Sequence, residues 1–135
     1  MPISVEQYLD KLSNDLQIAP LFEKIEKKLY SLPFDDRMIK LIETEQGFIL
    51  SGKVGTLPEE EDLPMVLYLL SANYLGQGTG QSALGLKPDG HTISITMDVR
   101  ADMSYAEFKE AVEEYVNYFD YWREEIEEKK IRDLK

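Results

Sequence analysis

Two hydrophobic rhythms run along this chain. Val5, Tyr8 or Leu9, Leu12 and Leu16 recur at helical spacing, whereas Ile93, Ile95, Met97 and Val99 alternate with Ser94, Thr96 and Asp98. The first stripe predicts an amphipathic helix, opened by the capping box Ser4-Val5-Glu6-Gln7 and ending near Ile18-Ala19-Pro20. Its apolar face is core, or core that also borders a peptide groove. The second pattern predicts a strand with one dry and one wet face.

Between these lie segments of unequal clarity. Glu23-Lys24-Ile25-Glu26-Lys27-Lys28-Leu29 continues a helix or begins a strand, while Tyr30, Leu32 and Phe34 alternate as a strand does. Pro33 suggests an edge strand or its end. Met38–Thr44 and Gly47–Val54 read as a hairpin turning at Glu45-Gln46-Gly47, closed by Gly55-Thr56-Leu57-Pro58.

A second helix is expected from Leu63 to Leu75, after the acidic run Glu59-Glu60-Glu61-Asp62, with Asp62 as its cap and Pro64 in its first turn. Met65, Val66, Leu67, Tyr68, Leu69, Leu70, Ala72, Tyr74 and Leu75 make it apolar nearly all round. Such a helix must be covered on both sides. One sheet covers one side, and a second copy of the chain is expected to cover the other.

Ala83–Lys87 and His91–Val99 form a further hairpin about Pro88-Asp89-Gly90. A second capping box, Ser104-Tyr105-Ala106-Glu107, opens a helix whose seam is Phe108, Val112, Tyr115, Phe119, Trp122 and Ile126. These aromatics are core, with more apolar positions than one sheet face hides; the surplus is a candidate groove for an apolar peptide. We expect one domain over residues 1–123, with 124–135 a charged extension of the last helix that frays or projects.

Composition narrows the function. The chain has 135 residues, Asp+Glu 26 against Lys+Arg 15, and a net charge of -11. That charge repels a phosphate backbone and an anionic membrane, so we expect no nucleic acid partner and no membrane insertion. Cysteine is absent, which removes disulfides and thiolate metal sites. The start Met1-Pro2-Ile3-Ser4-Val5-Glu6-Gln7 has neither the basic region nor the apolar run of a signal peptide. A cytoplasmic protein is expected.

Candidate chemistry is thin. Gly78-Thr79-Gly80-Gln81-Ser82-Ala83 fits the letters of a dinucleotide fingerprint, but that motif needs a strand before it and a helix after it. Here the order is reversed, so a glycine-rich turn is the better reading. His91 is the only histidine, and the carboxylates fall in solvated runs rather than in two contrasting buried environments. Neither a catalytic residue, a metal site nor a cofactor is expected.

The order helix, three strands, apolar helix, two strands, helix resembles the type III secretion chaperones of the Tir-chaperone (CesT-like) family. The likeness rests on Gly55-Thr56-Leu57-Pro58, Leu70-Ser71-Ala72-Asn73-Tyr74-Leu75, Thr79-Gly80, Ala83-Leu84-Gly85-Leu86, and a last helix carrying Phe108 and Trp122-Arg123. The resemblance implies an α+β fold, a twisted, mainly antiparallel sheet packed by helices, in a homodimer. It implies a bacterial cytoplasmic chaperone that holds the N-terminal segment of a secreted effector or translocator, with the secretion ATPase as a further partner and no enzymatic activity. A regulatory adaptor of the same fold, binding a folded regulator, is the alternative. Carried onto this chain, Val66, Leu69, Leu70 and Asn73 would form the dimer seam, and Leu12, Leu16, Phe34, Ile39 and Leu41 would contribute to client grooves. The lysine-rich Lys24–Lys28 departs from the family pattern.

Overall fold

The computed structural model describes residues 5–16, 22–34, 37–45, 47–57, 63–73, 82–99 and 103–133. Helix α1 (Val5–Asp15) is followed by β1 (Glu23–Glu26), β2 (Leu29–Phe34), β3 (Arg37–Glu43) and β4 (Phe48–Thr56). Helix α2 (Leu63–Asn73), strands β5 (Ser82–Leu86) and β6 (Thr92–Val99), and helix α3 (Tyr105–Asp133) complete the chain. The strands form one sheet, every pair antiparallel, in the order β1-β2-β3-β4-β6-β5.

Register fixes which face is dry. Ile39 stands opposite Gly52 and Leu41 opposite Leu50. Leu50 in turn faces Met97, and Gly52 faces Ile95. These residues, with Leu32 and Tyr30, are buried together beneath α3, whose Phe108, Val112, Tyr115, Phe119, Trp122 and Ile126 complete the core. Because side chains alternate along a strand, the intervening Met38, Lys40 and Ile42 fall on the opposite, open face.

Close packing of α3 needs space that glycine supplies. A Cβ on Gly52 would lie 2.7 Å from Phe119 Cε2 and 3.2 Å from the Met38 carbonyl oxygen, and one on Gly55 would lie 2.8 Å from Ile126 Cγ2. Tyr115, buried above the same strands, donates from its hydroxyl to the Ile95 carbonyl at 2.8 Å. Burial pushes that hydroxyl well above the usual tyrosine range.

The structure differs from the sequence reading at several points. Among the described residues four strands, not three, precede α2, because the ambiguous Glu23–Leu29 segment folds back as a hairpin at Lys27-Lys28. Lys28 adopts φ 70°, the left-handed conformation that usually selects Gly or Asn, so no turn residue marks the reversal. Pro33 sits one residue from the end of β2, opposite Met38 and beyond Ser31, where the register with β1 begins. Helix α1 stops at Asp15; Ser4, Asp62 and the turn Gly78–Gln81 lie outside the described residues. On the wet side of β6, Ser94 is buried, flanked by Lys53 on β4 and Gly85 on β5.

Other elements follow the pattern. Asp89 Oδ1 accepts from the amides of His91 and Thr92, each at 2.8 Å, and Gly90 takes φ 78° in the β5–β6 turn. Those backbone donors hold the Asp89 carboxyl down at about 2. The Ser104 box forms as expected, the Ser104 amide donating to Glu107 at 3.1 Å and the Glu107 amide to the Ser104 hydroxyl at 3.2 Å. Helix α3 runs unbroken past Arg123, with Ile126 still in the core.

Candidate functional site

Where α1 leaves α3, the chain keeps a cleft of about 190 Å³. Leu12 and Leu16 form one wall, Val112 and Val116 the other. Lys109, Glu113 and Asn117 from α3, and Arg37 from the start of β3, complete its lining. The helical spacing that gave α1 an apolar stripe turns Leu12 inward, while Leu16, one turn on, stays 43% exposed at the mouth.

Arg37 is fixed at this rim. Its Nε donates to Asp120 Oδ1 at 2.6 Å and its Nη2 to Oδ2 at 2.7 Å, a two-pronged pair that orients both groups. Arg123 approaches the same carboxylate at 3.8 Å. At the C-terminal end of α1, next to Leu16, the Tyr105 hydroxyl donates to Asp15 at 2.6 Å. Desolvation, then that carboxylate, push Tyr105 up to about 12. Tyr8 donates to the Met103 carbonyl, pinning α1 to the approach of α3. The cleft is thus an apolar slot with a charged rim, suited to taking up a side chain or a short peptide face rather than to bond chemistry.

Helix α2 presents a second apolar surface. Leu69 is 5% exposed and packs into the core, with Val66, Tyr68 and Ala72 half-buried beside it. Tyr68 donates to Glu125 at 2.6 Å and its ring lies 5.6 Å from that of Trp122, tilted by 60°, fastening α2 to α3. On the other side Leu67 and Leu70 stand 54% and 59% exposed. Two leucines at i and i+3 in water are an unfinished surface.

Asn73 closes α2 against the sheet. Its Nδ2 donates to the Leu84 carbonyl at 2.7 Å and its Oδ1 accepts from the Leu84 amide at 2.8 Å. A side-chain amide here reproduces the donor–acceptor pair of a neighbouring strand, in the middle of the terminal strand β5. Spacing alone gave no sign of this clamp.

The groove residues expected from the sequence separate. Leu12 and Leu16 meet in the cleft. Ile39 and Leu41 lie in the core at 1% and 0% exposure, because the odd positions of β3 face α3. Phe34 ends β2 opposite Arg37, and its side chain is outside the described set. Of the α2 residues, Leu70 faces outward, Val66 is half-buried, and Leu69 and Asn73 engage the chain's own core and β5. Missed were Leu67, hidden in an all-apolar run, and Val116, which lies outside the expected seam; Val112 belonged to that seam, whose surplus apolar positions were a candidate groove.

Among the described residues no helix is long and apolar enough to cross a membrane, and no cluster of three metal-binding side chains occurs. Similarity to known proteins points the same way as the architecture. A Chlamydia pneumoniae protein, CPj0713/CpB0740, is 25% identical over 126 residues, spanning 90% of this chain and 95% of that protein. A chain of the ExsC–ExsE complex superposes with a TM-score of 0.73 at 13% identity, covering 92% of this chain and 96% of that one. A chain of the HopA1–SchA chaperone–effector complex gives 0.67 at 18% identity, covering 91% and 99%. YbjN, a putative transcription regulator from E. coli, gives 0.70 at 16% identity, covering 96% and 97%. Residues 7–123 match the Tir chaperone protein family, so this chain, whose described residues form three helices and a six-stranded antiparallel sheet, belongs to the CesT family of chaperones.

Proposed function

We propose that the protein is a homodimeric type III secretion chaperone that binds the N-terminal segment of a secreted effector and keeps it soluble and competent for export. Family membership over residues 7–123 carries this reading. The two apolar surfaces give it a physical form. A disordered client loses chain entropy on binding, and burying its apolar side chains in preformed slots supplies the compensation. The cleft of Leu12, Leu16, Val112 and Val116 is such a slot. Leu67 and Leu70, with Val66 beside them, are the patch a second copy would cover, while Leu69 and Asn73 hold α2 in place to present it. The similarity to a chain of a chaperone–effector complex favours an effector as client. The family and fold are those of chaperones, not enzymes, and binding with hand-over to the export machinery, the secretion ATPase included, needs no catalysis by this chain.

The likeness to YbjN favours a second reading, a regulatory adaptor of the same fold that binds a folded partner. Affinity capture of the tagged chain from its own host, with bound proteins identified by mass spectrometry, separates the two. Enrichment of a secreted protein, abolished by deleting its N-terminal segment, is the expected result. Capture of a single folded regulator, unaffected by such deletions, would replace the chaperone reading with the adaptor.

A further inference from the structure

Helix α2 is tethered on two separate flanks. Near its middle the Tyr68 hydroxyl donates to Glu125 at 2.6 Å, and at its end Asn73 pairs with both polar groups of Leu84. Tyr68 and Asn73 are five residues apart, which at 3.6 residues per turn sets them about 140° apart around the helix axis. Leu69, 5% exposed, falls between them and faces the core. Leu67 and Leu70 fall on the arc that neither tether occupies. A helix held along one flank can roll about its own axis. Held on two, it cannot, and the direction of the two leucines is fixed.

The acceptor for Tyr68 lies in an unusual place. The match to the family stops at Arg123, whereas α3 continues to Asp133. The turn just past the match is firmly seated. Ile126 is fully buried, and a Cβ on Gly55 would lie 2.8 Å from its Cγ2. With Ile126 held on β4, the adjoining Glu125 carboxylate meets α2 at a fixed point. The Trp122 ring supports the same contact, lying 5.6 Å from the Tyr68 ring and 5.2 Å from that of Tyr121. Ring contact alone is non-directional enough to let the phenol slide over the indole. A charged acceptor gives the hydroxyl one preferred position, because such hydrogen bonds are short and strong.

We infer that Glu125 is a positioning residue for self-association: through Tyr68 it sets the roll of α2, so that Leu67 and Leu70 face a second copy of the chain. The inference rests on the homodimer reading and adds a residue outside the apolar seam that controls it. Net charge gives it a distinctive sign. Two copies at -11 each repel, so removing a glutamate favours association on electrostatic grounds alone. Removing this glutamate weakens it.

The test measures the dimer dissociation constant of the full chain by sedimentation over a range of concentrations, beside the unfolding midpoint of the dilute monomer. Glu125→Ala should weaken the dimer at least about tenfold. Glu124→Ala, the same loss of charge at the exposed neighbouring position, should leave it within about twofold. Glu125→Gln keeps a carbonyl oxygen for the Tyr68 hydroxyl and should recover most of the loss. Tyr68→Phe, which removes the donor and keeps the ring, should match Glu125→Ala and serves if the alanine chain is unstable. The double variant should be no weaker than either single one, because both remove one bond. A merely structural role would lower the unfolding midpoint without changing the dimer constant. An unchanged constant in Glu125→Ala, a glutamine variant as weak as alanine, or additive losses would each overturn the assignment and leave the dimer standing. A natural chain that is monomeric at every concentration would overturn the homodimer reading itself, and the assignment with it.

Discussion

Helices α2 and α3 pack on the same sheet but end in opposite conditions. The seam of α3, from Phe108 to Ile126, is buried by the chain's own strands and by α1 and α2. Helix α2 is the more uniformly apolar of the two, yet of its described side chains only Leu69 is fully buried, and Leu67 and Leu70 remain in water. Apolar content therefore does not identify the core helix; a partner surface does. Helix α3 finds its partner within the chain, whereas α2 finds half of one, which argues for self-association through the remainder.

Substitutions can break or sharpen this contrast. Trp122→Ala, at the centre of the satisfied helix, should cost about 3–5 kcal/mol in denaturant-unfolding stability. A loss of below about 1 kcal/mol would mean that α3 is not the core helix. Asn73→Ala removes both hydrogen bonds that hold the end of α2 to Leu84, and a loss of about 1–3 kcal/mol is expected by the same measurement.

The bond between Tyr105 and Asp15 at the head of α3 should contribute at most about 1 kcal/mol, and its pH dependence identifies it. The folded-state pKa of Tyr105 is raised, so its contribution is complete below the unfolded value of 10.0 and is lost as pH climbs toward about 12. The stability difference between the natural chain and Tyr105→Phe should therefore be constant below pH 10 and close above it. A difference that persists at the alkaline end would assign it to packing instead.

Leu70→Asp should have the smallest effect on folding, within about 0.5 kcal/mol for the isolated chain, because Leu70 already faces water. Sedimentation should nonetheless show the variant as a monomer. A folded variant that stays dimeric would move the seam away from the Leu67–Leu70 face.

Legibility in the sequence followed the range of the physics involved. The Ser104–Glu107 box, the Asp89-Gly90 turn and the alternation of β6 depend on neighbours a few residues apart, and all are found in the structure. The β1–β2 hairpin was ambiguous because its reversal uses lysine in a glycine conformation. Ile39 and Leu41 were assigned to a groove by the family resemblance alone, whereas which set of β3 side chains faces α3 depends on register with β4 and on where the helix lies, and these two occupy the core. The cleft had the same difficulty: Leu12 and Leu16 were identified from one helix, while Val112 and Val116 become its wall only when two distant helices meet. Asn73 belonged to a string that signalled the family, and its clamp on Leu84 was visible only in three dimensions.

Gly52 and Gly55 act on a larger scale than their size suggests. Helix α3 spans 29 residues, a rod about 43 Å long at 1.5 Å per residue. Phe119 and Ile126, two turns apart along it, are the points where it settles onto the sheet. Lifting the rod at either seat by adding a single methyl group would tilt it, and its length would magnify the tilt at the far tip. The two missing β-carbons thus serve as bearings for a lever. A Gly52→Ala chain would be the means of asking whether the direction in which α3 points, and not only its stability, governs what this chaperone can hold.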